Sequence, residues 1–139
     1  MTNLEVIATV RAHLLQQNAK SINRYGRCLY RGPEGRKCAI GCLIPDEKYD
    51  PAFEGFAFHP APIPSLEIPP VPLKQISLLA AAGLEAIQLP LGRRLQAIHD
   101  AYTVEEWPFQ LDLIEAEERN TLCSVAHEAS IASLGIERS

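Results

Sequence analysis

Three of the four cysteines of this chain, Cys28, Cys38 and Cys42, stand within fifteen positions of one another, in the stretch CLYRGPEGRKCAIGCLIPD. Clustered thiolates can hold a soft metal ion, two thiols can cycle with a disulfide, and one thiolate can attack an electrophile. Each chemistry asks for different neighbours. Zinc signatures place cysteines two to four residues apart in pairs, or add histidines at similar spacing. Here nine residues separate Cys28 from Cys38, and three separate Cys38 from Cys42. On one extended strand Cys38 and Cys42 would lie about 13 Å apart at ~3.3 Å per residue, too far to share an ion unless the strand ends between them. The three are therefore weak metal candidates, to which Cys123 and His127, four apart on a helix, could add two ligands. A nucleophilic cysteine needs a base, and His59 and His99 are the candidates. The bland alternative is that the thiols are small buried hydrophobes, which free cysteines often are. No cofactor is expected.

Charge supplies the second set of candidates. Residues 1–42 carry seven Lys/Arg against Glu5 and Glu34, a net +5, while the remainder carries six basic and fifteen acidic residues, a net −9. Arg24, Arg27, Arg31, Arg36 and Lys37 crowd around the cysteine stretch and suit a phosphate-bearing ligand. Glu105, Glu106, Asp112 and Glu115 lead an acidic run beside Trp107 that suits a basic protein partner. Complementary packing of the two parts of the chain would account for the same asymmetry.

The elements that must position these residues follow from local pattern. Thr2-Asn3-Leu4-Glu5 reads as a capping box opening an amphipathic helix over about residues 3–17. Gly32-Pro33-Glu34-Gly35 reads as a three-residue hairpin loop, which pairs Gly32 with Arg36, Tyr30 with Cys38 and Cys28 with Ile40. That register puts Cys28, Tyr30, Cys38, Ile40 and Cys42 on an apolar face and Arg27, Leu29, Arg31, Lys37, Ala39 and Gly41 on the other. Residues 57–73 hold six of the eleven prolines and are expected as a loop. Helices are expected over 73–88 and 90–101. A second capping box, Thr103-Val104-Glu105-Glu106, precedes a long helix carrying Phe109, Leu113, Leu122, Val125 and Ala129 to about Leu134, with Gly135 as C-cap. The expected fold class is α+β: a single, mainly α-helical domain over 1–139 with one small β-hairpin, about residues 27–42, packed on helices.

Several function classes are disfavoured. Neither G-x-x-x-x-G-K-[ST] nor G-x-G-x-x-G occurs, and no run of eighteen apolar residues could span a membrane. A pI near 5.5 with 6% aromatic residues argues against direct nucleic-acid binding. The first residues lack the basic start and apolar block of a signal peptide, so a cytoplasmic location with reduced thiols is expected.

Residues 28–55, CLYRGPEGRKCAIGCLIPDEKYDPAFEG, resemble the pattern C-x-Y-R-x-x-x-G-x-x-C-A-I-G-x-L-I-P-D-x-x-Y-x-P-x-x-E-G of small uncharacterised proteins of tailed bacteriophages and prophages. LQAIHDAYTVEEW at 95–107 is a second match. In that pattern Cys28 and Cys38 recur while position 42 varies. The resemblance implies a source in a phage, hence work in the host bacterial cytoplasm. It suggests a small non-enzymatic binding protein that counters a bacterial defence system. The partner would be a host immune effector such as a CRISPR–Cas complex, or a nucleotide signal that the protein sequesters. The alternative is a zinc- or thiol-dependent regulator, or a cysteine enzyme, built on the hairpin cysteines.

Overall fold

The computed structural model describes residues 1–54 and 73–133, with side chains of 75–125 in the second stretch. The proline-rich loop, apart from its last residue, and the Gly135 cap lie outside the described residues.

Helix α1, Asn3–Gln17, starts where Thr2 Oγ1 accepts the Glu5 N–H at 3.2 Å and stops at Asn18, left-handed at φ 50°. The N-cap therefore forms, but the Glu5 carboxylate returns to the Thr2 hydroxyl rather than to its backbone. Val6, Ile7, Val10 and Leu14 recur at three- and four-residue spacing and are buried. The helix expected over 73–88 is cut short: α2, Leu73–Ala81, ends at Gly83, whose φ of 72° suits a glycine cap. A 3-10 turn, Ala86–Gln88, then leads into α3, Leu89–Ala101. Another turn, Val104–Glu106, opens α4, Trp107–Ser133, with Pro108 in its first turn, where no amide donor is required. Trp107, Leu111 and Ile114 of α4 join Leu95 and Ile98 of α3 and the buried face of α1 in one hydrophobic cluster. Among the described residues, no helix is long and apolar enough to cross a membrane.

The expected β-hairpin is not present, and the α+β assignment gives way to a helical one. Among the described residues there is no strand, only two isolated antiparallel bridges, Ile22 with Cys28 and Arg31 with Lys37. Around the Pro33 turn the Gly32 N–H reaches the Arg36 carbonyl at 2.7 Å, but pairing ends one residue further out. Residues 38–43 coil instead: the Cys42 N–H bonds to Cys38 O and the Leu43 N–H to Ile40 O, both at 3.0 Å. Cys28 pairs backwards, in a second loop in which Leu29 N–H donates to Ser21 O at 2.8 Å.

The physical reason lies in what satisfies the backbone. Helix and loop side chains take donors that a strand partner would have taken. Ile40 N–H goes to Gln96 Oε1, Lys37 N–H to Gln17 Oε1 and Tyr30 N–H to Glu54 Oε1. Gly41 makes the coil possible, since a Cβ there would fall 2.0 Å from the Tyr30 carbonyl oxygen. Ala39 and Gly41, expected on the basic face, are buried with Cys38 and Ile40, as befits a helical turn rather than a pleat.

Candidate functional site

The densest polar chemistry gathers on one face of α3, where Gln96, His99 and Asp100 stand three and four residues apart. His99 is wholly buried and stacked on Trp107, ring centroids 5.6 Å apart at 25°. The Ser21 N–H donates to His99 Nε2 at 3.0 Å. A backbone amide can only donate, so the ring proton sits on Nδ1, 2.6 Å from Asp100 Oδ1. Gln96 uses both ends of its amide. Its oxygen accepts the Ile40 N–H at 3.0 Å, and its nitrogen donates to Asp100 Oδ1 and to Cys28 Sγ, each at 3.0 Å. Lys20 Nζ caps the Asp100 carbonyl at 3.2 Å.

Two of the three clustered cysteines reach this face. Cys28 is partly buried, and its thiol hydrogen-bonds to the buried Cys38. Cys42 turns away and donates its thiol to Ala39 O at 3.0 Å. The Cys38 hydrogen bond, then burial, holds the Cys28 thiol far above its ordinary value, and burial pushes Cys42 up to about 12. Both thiols are therefore protonated at neutral pH, the opposite of what a nucleophilic cysteine requires. Burial depresses His99, but hydrogen bonds to Asp100 and Cys28 outweigh it and hold the ring above its ordinary value. The Ser21 N–H opposes them, because it needs the lone pair of a neutral ring.

The basic residues are placed on two separate loops. Arg24 lies over the ring of Tyr25 at 4.8 Å, and Tyr25 is 72% exposed. Arg27 is exposed on the same turn, which Asn23 Oδ1 ties by accepting the Tyr25 and Arg27 N–H groups at 2.8 and 3.1 Å. On the other loop Arg31 pairs with Asp46, donates to Ile44 O at 2.9 Å and covers the Tyr49 ring. That contact holds the Asp46 carboxyl below the usual range. Arg36 pairs with Glu34 at 3.0 Å, and Lys37 is anchored through its backbone by Gln17 and His13. Arg31 and Arg36 thus have acidic partners of their own.

The acidic residues all lie at the start of α4. Glu105 and Glu106 are exposed in the turn before it. Asp112 and Glu115 both face Arg11 of α1, Glu115 at 3.6 Å, and Glu115 also meets Arg119 at 2.9 Å. Sequence reasoning missed the apolar pair among them. Phe109 and Leu113, expected on the long helix, are 67% and 43% exposed. The packed stripe is Trp107, Leu111 and Ile114, and the i, i+4, i+7 spacing was the signal that could have shown it. Comparison with protein-family models, with curated proteins and with solved structures finds no match for this chain.

Proposed function

We propose that this chain is a binding protein that docks the outer face of α4 on a basic protein surface. The observation that supports the reading is the pair Phe109 and Leu113, one helical turn apart and exposed, with Glu105, Glu106 and Asp112 around them. An aromatic anchor beside charged neighbours is the composition of an interface core and rim. The partner such a face fits has an apolar pocket ringed by Lys and Arg. Effectors that handle nucleic acids carry basic grooves of this kind. In the phage setting that the sequence resemblance implies, the partner is a host defence effector, and the protein inhibits it by occupying that groove.

The test is capture from host lysate with a photo-crosslinker placed at the exposed position 116, one turn along from Leu113. The reading expects a crosslinked basic protein, lost in the double variant Phe109→Ala, Leu113→Ala, whose helical circular dichroism stays unchanged. Capture should also weaken as salt is raised, because the rim contacts are solvent-screened. A crosslinked protein that binds the double variant equally well, or whose capture is indifferent to salt, would overturn it.

A second reading, sequestration of a nucleotide signal, is favoured by one observation. The exposed Tyr25 ring with Arg24 over it and Arg27 alongside offers a stacking platform and two cations. Calorimetric titration with cyclic oligonucleotides and ADP-ribose derivatives tests it. No heat from the protein, or equal heat from Tyr25→Ala, removes it.

A further inference from the structure

Cys28 Sγ, a ring nitrogen of His99 and a carboxylate oxygen of Asp100 all lie within 4.8 Å of one another. In a tetrahedral zinc site, bonds of about 2.0–2.3 Å set neighbouring donors roughly 3.3–3.8 Å apart, so these atoms need only a small contraction. A second observation points to a cation. The Gln96 NH2 group, the positive end of a dipole, already sits between Cys28 Sγ and Asp100 Oδ1, 3.0 Å from each. Access is one-sided: Cys28 and Asp100 are partly exposed, while His99 is fully buried. A sulfur, a nitrogen and one oxygen are a donor set for zinc, not for calcium or magnesium, which take oxygen ligands.

We propose that Cys28, His99 and Asp100 form a binding site for a divalent cation of the zinc class, with a solvent molecule in the fourth position. The ligand set differs from one drawn on Cys28, Cys38 and Cys42, since Cys42 faces away and Cys38 lies outside the group. Occupancy displaces the Gln96 nitrogen from Cys28 and Asp100 and replaces one of the two hydrogen bonds to the His99 ring. The Gln96 oxygen can keep the Ile40 N–H. The Cys28 thiol gives its proton to solvent as its sulfur becomes a thiolate ligand, so one cation releases one proton.

The experiment is anaerobic titration of the reduced full chain with cobalt(II), followed by zinc(II). The expected result is thiolate-to-cobalt charge-transfer absorption and tetrahedral visible bands that saturate at one equivalent and vanish when zinc displaces cobalt. Cys42→Ser and Cys123→Ser should keep the bands, and Cys28→Ser should lose them. Asp100→Asn should weaken binding roughly tenfold or more. Bands that persist in Cys28→Ser, or that disappear in Cys123→Ser, overturn the assignment. Proton release from the unaltered protein, followed with a pH indicator, stands apart from any variant's folding. Fewer than one proton per added cation, or no binding at all, means that the cluster is a hydrogen-bond network alone, and the proposal fails.

Discussion

Gly41 sits so close to Tyr30 that any side chain meets backbone, and backbone cannot step aside as a flexible side chain can. Gly41→Ala should therefore cost about 1–3 kcal/mol, the range for forcing atoms into a packed site. Urea unfolding measures it, and a midpoint equal to that of the unaltered chain would contradict the close approach. Nothing in CAIGC marks this glycine, because its requirement comes from a distant chain segment that it touches only after folding. Glu54 is a second case. It is partly buried, accepts the Tyr30 N–H at 2.8 Å, and burial raises its pKa above the usual carboxylate value. The folded protein then holds that proton more tightly than the unfolded chain does. The contribution of Glu54 to stability is full below its unfolded pKa and is lost as pH rises through the raised folded value. Glu54→Gln keeps an acceptor for Tyr30 and carries no charge. It should be more stable than the unaltered protein at neutral pH, with the gap closing at acid pH, as unfolding midpoints measured against pH will show. A gap independent of pH would contradict burial of the charge as the cause.

At the scale of the element, α3 serves two masters. Its apolar face of Leu91, Leu95 and Ile98 is legible from spacing alone and docks on α1 and α4. On its polar face His99 and Asp100 read in sequence as a helix-terminal charge or a core hydrogen bond before a catalytic dyad, nothing in the spacing marks Gln96, and both Gln96 and His99 are buried. What decides their burial is the irregular chain of residues 19–44, whose amides need acceptors that only folding brings near. The same fact removes the hairpin. The turn residues Gly32-Pro33-Glu34-Gly35 suit a loop, and a loop forms there, but strand pairing beyond it loses to side chains from α1 and α3. Gln96→Leu keeps the bulk and leaves the Ile40 amide buried without its acceptor. That loss is expected to cost about 1–3 kcal/mol, together with faster hydrogen exchange at Ile40. Unchanged exchange at that amide would show that the backbone has another partner.

Across the whole molecule, the uneven charge of the sequence resolves into internal pairs and free faces. Arg11, from the basic first part, meets Asp112 and Glu115 across the contact between α1 and α4, and Arg31 meets Asp46. Composition reveals the asymmetry, but the pairing depends on which helix faces which, and spacing along the chain does not carry that. The pairs bear on the proposed docking face, since an acid bound to Arg11 is less able to steer a partner than Glu105 or Glu106. A double-mutant cycle on Arg11→Ala and Asp112→Ala measures how strongly the first pair holds. Both side chains are partly solvent-exposed, so a coupling of roughly 0.2–1 kcal/mol is expected, shrinking as salt rises. A coupling above that range would tie Asp112 to the fold, and Asp112→Asn would then lower stability more than it weakens capture. At the expected value the carboxylate is held loosely enough to exchange Arg11 for a partner's cation. Removing Arg11 should then strengthen capture by freeing Asp112, and capture that falls instead would exclude that acid from the docking face.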